Sequence, residues 1–364
     1  MARNRRPGRP VAVALSAVLL MLAAACGGGG GSDGSGDGGS TDAAGTAGGT
    51  STSSGPYDVS QLMGTLGALA VPGTGTGEAG GPPGGRLLGV VDDKSPWQYD
   101  IVKTFTGQAG RAPDIREYYS TWGDDFDAEG NAFLWQRGQL PMLALVPSET
   151  PLADIGGGYD DKYVRALAKQ IAAYHGPLVL SFAGEMNGPW NSWGPKNAKA
   201  ADFVAAWRHV HDVFAELKVT NVIWAWSPHV VDSGTKAALR PYYPGDAYVD
   251  WVGLIGYYGP VDGTAFASLF TPTLKDIAAF AHDKPVLITE TGVAASARKE
   301  AQVRDLFEGA DAAGVIGLVW YDQRKDWPGS NQMMDWRIDT SLGARAAFRA
   351  ESSRHHFGHP FGTS

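Results

Sequence analysis

The sequence predicts an α/β fold, a single (β/α)8 TIM barrel over residues 86–356. Eight short apolar runs recur from Arg86 onward, and the segments between them have helical spacing. The stretch, roughly 270 residues, also matches the size of one such barrel.

The runs are "LLGVV" (87–91), "DIREYY" (114–119), "LPMLALV" (140–146), "PLVLSF" (177–182), "NVIWAW" (221–226), "DWVGLIGY" (250–257), "PVLITE" (285–290) and "VIGLVWY" (315–321). Most are nearly continuous apolar segments, as expected of parallel strands buried on both faces. Between them, Phe203, Trp207, Val210, Phe214 and Leu217 recur every three or four residues and form one helical face, as do Val164, Leu167, Ala168 and Ile171. An open doubly wound sheet is the rival arrangement. The lack of a glycine-rich phosphate loop after the first run counts against it.

The segment before the barrel reads differently. Arg3, Arg5, Arg6 and Arg9 precede an apolar core at 11–25, "VAVALSAVLLMLAAA". That core is short for a membrane span, which needs about 20 residues, and suits a signal peptide over 1–25. "LAAAC" resembles a bacterial lipoprotein cleavage site, with Cys26 as the lipidated residue, although Ala23 stands where that pattern prefers Leu. The alternative is an ordinary secreted protein with an incidental cysteine. Residues 26–85 are rich in Gly, Ser and Thr and read as a disordered tether, because they hold too little apolar surface to offset chain entropy. Residues 57–72 within it are mildly apolar and carry no assignable element. Residues 357–364 are expected to be a C-terminal tail, and His355, His356 and His359 are read as solvated there. The expected location is extracytoplasmic, with the chain lipid-anchored to the cell membrane.

Composition narrows the function. With 30 basic and 38 acidic side chains the net charge is −8, which gives no support to nucleic-acid binding. Cys26 is the single cysteine, so no intrachain disulfide can form. Twelve Trp and 13 Tyr exceed what core packing calls for. Some are expected to line a surface, where flat rings stack on sugars. His209 and His211 are two apart on a helix and diverge, which makes them a poor metal pair.

In a (β/α)8 barrel the active site lies at the C-terminal strand ends. Glu185 follows the fourth run and Glu290 closes the seventh. Ser227 and His229 follow the fifth, Tyr257 and Tyr258 close the sixth, and Trp320, Tyr321 and Asp322 lie at the eighth. Asp92 and Asp93 end the first, where a sugar contact and a helix cap are equal readings. Two carboxyls about 5–5.5 Å apart are what a retaining glycosidase needs, one donating a proton and one attacking as a carboxylate. The charge of one raises the pKa of the other, so a single site can hold both forms. Alternatively, either Glu caps a helix or pairs with a base.

"FAGEMNGPWNSWG" then becomes recognisable. It resembles the acid/base motif of glycoside hydrolase family 26, the β-mannanase family. "DDKYVRALAKQIAAYHGPLVLSFAGEMNG", "VIWAWSP", "YVDWVGLIGYYG", "KPVLITETG" and "DWRIDTS" follow the family's order, so the resemblance covers residues 86 to about 340. It implies that Glu185 is the general acid/base, Glu290 the nucleophile and Tyr257 the residue that orients the nucleophile. It also implies substrate-binding roles for Trp190, Trp193, Trp320, Asn187 and Trp226. One position departs. The family has His directly before the acid/base Glu, and here Gly184 stands there. Either the glycine makes room for a bulkier or differently oriented sugar, or the site is degenerate.

The implied function is retaining hydrolysis of a β-linked polysaccharide by a monomer that needs no cofactor and no metal. β-1,4-Mannan comes first, then mixed-linkage β-glucan or β-1,3-xylan. The reading from a different class is a non-catalytic, polysaccharide-binding surface lipoprotein.

Overall fold

The structure is a computed structural model that describes residues 85–358, apart from 92–95, 97–98, 233, 260–263, 282 and 327–332. The leader, Cys26, residues 57–72, Asp92 and Asp93 lie outside the described residues.

Eight parallel strands close a barrel in sequence order. They are β1 (Leu87–Val91), β2 (Ile115–Thr121), β3 (Leu140–Val146), β4 (Leu178–Phe182), β5 (Val222–Trp226), β6 (Trp251–Tyr258), β7 (Val286–Val293) and β8 (Gly317–Tyr321). Closure comes from β8 pairing with β1, from Leu87 opposite Gly317 to Val91 opposite Tyr321. This is the predicted (β/α)8 barrel. The strand seven run continues three residues past Glu290, through Thr291, Gly292 and Val293. A hairpin after β8, of β9 (Arg324–Asp326) and β10 (Met333–Asp335), was not expected.

Strand alternation divides the apolar side chains into two layers. Leu87, Val91, Ile115, Leu140, Met142, Val179, Ile223, Trp251 and Leu287 fill the barrel interior. Leu88, Val90, Leu143, Leu178, Leu180, Trp226, Leu254 and Trp320 face the surrounding helices. The helix Ala200–Glu216 buries Phe203, Trp207, Val210 and Phe214 against that outer layer, and Asp161–Tyr174 buries Val164, Leu167, Ala168 and Ile171. Each large apolar side chain so buried contributes about 1.5–3 kcal/mol.

The C-terminal segment joins the fold further than expected. Phe357 forms an isolated parallel bridge with Arg86, and its buried ring packs edge-on to Phe307 at 5.0 Å. His355 is not solvated as expected: its Nδ1 lies 2.9 Å from Asp311 Oδ2 and its side chain is 11% exposed. Two residues of the expected tail, Phe357 and Gly358, therefore close the bottom of the barrel at β1.

Candidate active site

Glu185 lies just past β4, on a backbone that keeps pairing after the strand has ended. Ala183 N donates to Leu145 O at 2.9 Å, and Glu185 N donates to Ser227 O at 2.8 Å. Ala183 and Glu185 take positive φ angles, 50° and 54°. Such a conformation costs about 1–3 kcal/mol per non-glycine residue and persists where the surroundings enforce it. The enforcing contacts are visible. Trp193 Nε1 donates to Gly184 O at 2.8 Å, and Asn191 Nδ2 donates to Glu185 O at 3.1 Å.

The Glu185 carboxylate has two partners. His229 Nδ1 lies 2.8 Å from Oε1, and Trp190 Nε1 donates to Oε2 at 3.2 Å. Trp190 stands edge-on to the His229 ring at 4.9 Å. Asn187 locks the backbone of His229 from both sides: Nδ2 donates to its O at 2.8 Å and Oδ1 accepts from its N at 2.9 Å. On the far side of the imidazole, Nε2 lies 3.8 Å from Asp232 Oδ2. Burial disfavours a charged ring, but the hydrogen bonds and charges of Asp232 and Glu185 outweigh it and raise His229 to about 9. Asp232 is buried enough to resist ionisation, yet the His229 bond and the amides of Gly234 and Thr235 hold it well below the usual carboxylate range.

Glu290 reaches the same mouth from β7. Leu287 faces the interior and Ile288 the helices, so strict alternation would turn Glu290 outward. The β7–β8 register shifts between Ile288 and Thr291, and the irregularity re-aims the carboxylate inward. There Tyr257 donates to Oε1 and Tyr119 to Oε2. The Tyr257 ring packs beside Trp336 and Tyr321, at 5.3 and 5.8 Å. Burial, then the charge of Glu185, push Glu290 up to about 8, against the Tyr119 bond and the charges of Lys325 and His229. The pair of carboxyls thus resists carrying two negative charges at once.

Glu185 and Glu290 line one cavity, together with Trp193, Asn191 and Gly184. Trp190 stands beside it through its bond to Glu185. Trp320 and Trp226 are not there. Both are fully buried on the helix-facing side. Trp320 Nε1 donates to Trp336 O at 2.9 Å and its ring meets Phe348 edge-on at 5.0 Å. Trp226 packs edge-on to Tyr243 and Phe280. The substrate-binding role expected of these two is corrected: the interior positions of their strands are Val319 and Tyr321, and Ala225. Asn187 is at the site, but its amide is spent on the His229 backbone. Tyr119 went unnoticed in the sequence, although it falls on the same face of β2 as Ile115. His229 was seen as a strand-end residue without a role, and its partner Glu185 is 44 positions away.

The region holding both glutamates, residues 158–297, matches the model of glycosyl hydrolase family 26. The chain is 27% identical over 264 residues to Endoglucanase H of Acetivibrio thermocellus, covering 68% of this chain and 28% of that protein. It is 25% identical over 265 residues to β-1,3-xylanase TXYA of a Vibrio species, covering 69% of this chain and 53% of that one. The chain therefore spans between about a quarter and a half of the length of these relatives. The mannan endo-1,4-β-mannosidase A and B of Caldalkalibacillus mannanilyticus is 37% identical, over 81 residues that cover 20% of this chain and 15% of that protein. Among solved structures, the Bacillus subtilis mannanase man26 superposes with a TM-score of 0.61 at 17% identity, covering 84% of this chain and 94% of that chain. That likeness speaks for the fold alone.

Proposed function

We propose that this chain is a family 26 retaining glycoside hydrolase acting on a β-linked polysaccharide, with Glu185 as acid/base and Glu290 as nucleophile. One observation carries the reading: two carboxyls line the same cleft with opposite kinds of partner. Glu290 accepts a phenol hydrogen bond on each oxygen, which favours a bare, oriented carboxylate. Glu185 sits against an imidazole and an indole on a loop, where a proton can come and go.

In the first step Glu290 attacks the anomeric carbon as the C–O bond to the leaving group breaks. Glu185 gives its proton to the departing oxygen. In the second step Glu185 takes a proton from water, the water oxygen bonds to the anomeric carbon, and Glu290 is released. Burial and the charge of Glu185 hold Glu290 above the usual carboxylate range, and the hydrogen bonds from Tyr119 and Tyr257 act against that shift and favour the carboxylate that attacks.

For the sugar, β-1,4-mannan follows from the family resemblance. A second reading has its own support: two matches that cover about two thirds of the chain are to an endoglucanase and a β-1,3-xylanase, while two mannosidase matches cover 20% and 32% of it. Reducing-sugar release from β-1,4-mannan, mixed-linkage β-glucan and β-1,3-xylan decides among them. A wild type that binds one of these glycans and cleaves none would instead establish the non-catalytic reading.

We also propose that the chain is anchored by lipid at Cys26, supported by the apolar core at 11–25 directly before it. Metabolic labelling with a fatty acid is expected to mark the wild type and not Cys26→Ser. Label retained in Cys26→Ser would refute the anchor.

A further inference from the structure

β2 sends alternate side chains into the barrel, and the odd positions Ile115 and Tyr119 are on that face. Glu117 lies between them, one layer below Tyr119. It is 3% exposed and lines the cavity that also holds Glu185, Glu290, Ser181 and Gly184. One of its carboxyl oxygens is sealed from solvent with no hydrogen-bond partner. Buried polar atoms are nearly always partnered, so an orphan in a cleft wall calls for a ligand. Gly184 leaves the cavity open beside it: a β-carbon there would meet nothing closer than Ser181 Oγ at 3.6 Å.

We propose that Glu117 is a substrate-recognition residue on the cleft floor, its carboxyl group hydrogen-bonding a hydroxyl of the sugar unit held against Glu290. This rests on the glycosidase reading. A structural acid would be satisfied within the protein, and an apolar side chain would fill the floor as well. Burial, then the charge of Glu290, push Glu117 well above the carboxylate range, with Arg116 pulling the other way. That shift favours the neutral form of the group. A neutral carboxyl both donates and accepts, as a sugar hydroxyl does. It also adds no second negative charge beneath the nucleophile. The titratable groups around it are Arg116 and Tyr119 on its own strand, Glu290 on β7, Glu185 after β4 and Tyr321 on β8.

The test compares wild type, Glu117→Gln and Glu117→Leu as full-length chains, on whichever of β-1,4-mannan, mixed-linkage β-glucan and β-1,3-xylan the wild type cleaves. The amide keeps a donor and an acceptor, so Glu117→Gln should hold KM within about threefold and leave the acid limb of the pH profile in place. Glu117→Leu should lower kcat/KM about 5- to 150-fold, mainly through KM, with cooperative thermal unfolding preserved. Wild-type kcat/KM in Glu117→Leu would overturn the inference. So would a Gln variant as impaired as Leu with a displaced acid limb, which would make Glu117 a charge acting on Glu290. If Glu117→Leu does not fold, the infrared carbonyl band of a neutral carboxyl, identified by its loss in Glu117→Gln, carries the test. It should move when an oligosaccharide of the cleaved glycan binds, and a band that stays put overturns the inference. A wild type that neither binds nor cleaves any of the three glycans removes the parent reading itself. A wild type that cleaves one, alongside an unimpaired Leu variant, removes only the role of Glu117.

Discussion

His229 Nδ1 lies 2.8 Å from Glu185 Oε1, joining the loop after β5 to the residue proposed as the acid. The contact couples a group raised to about 9 to a carboxyl that, in the proposed mechanism, gains and loses a proton in each cycle.

His229→Gln removes that charge and should reduce kcat on polysaccharide by about 10- to 100-fold, within the range of general acid–base contributions. Stability should respond as well. A histidine whose folded pKa lies above its unfolded value of about 6.5 stabilises the fold fully below that value, and the effect is lost as pH rises through about 9. The wild-type Tm should therefore fall between those pH values, and the fall should be smaller in His229→Gln. Parallel Tm–pH curves for the two proteins would show that the contact has no energetic weight.

Replacing the two glutamates should give opposite chemical signatures. Glu185→Ala should lose at least about a thousandfold on polysaccharide yet spare the first step with an aryl glycoside whose leaving group needs no proton. Added azide should then yield a β-azide. Glu290→Ala should be inactive on both substrates, with any azide rescue giving the inverted α-azide. Proton NMR of the products reads the outcome, and adducts of the opposite anomeric form would reverse the two assignments.

The tryptophans should separate into core and cleft. Trp320 is fully buried, so Trp320→Ala should destabilise the fold by about 3–5 kcal/mol in denaturant titration. Trp190 is half-buried beside Glu185, and Trp190→Ala should raise KM with a far smaller change in stability. A stable Trp320→Ala protein with weakened glycan binding would return that ring to the substrate.

Gly184 can be probed by filling it. A β-carbon at this position would make only ordinary contacts, with Ser181 Oγ at 3.6 Å and Ile255 Cδ1 at 3.7 Å. Gly184→Ala should therefore melt within about 2 °C of wild type. Gly184→His, which projects an imidazole into the cavity, should lower activity on the native glycan. A gain of activity would instead mark a decayed site.

Much of the architecture was legible because burial on both faces writes itself as continuous apolar runs. The runs 87–91 and 140–146 coincide with β1 and β3, and the helical faces around Trp207 and Leu167 are buried as their spacing predicts. Family motifs singled out Glu185, Glu290 and Tyr257, and all three carry the hydrogen bonds of one cleft. Which face a strand residue takes was not legible. In a strand apolar on both sides no alternation marks the interior, so Trp320 and Trp226 read as cleft residues although both point at the helices. The inward turn of Glu290 depends on a register shift between neighbouring strands, which no single segment encodes. The contacts of Glu185 with His229 and of Glu290 with Tyr119 span 44 and 171 positions. Sequence determined the strands, the helical faces and the two glutamates singled out as candidates; closure of the barrel decided which side chains meet, because only three-dimensional pairing brings such distant residues within hydrogen-bond reach.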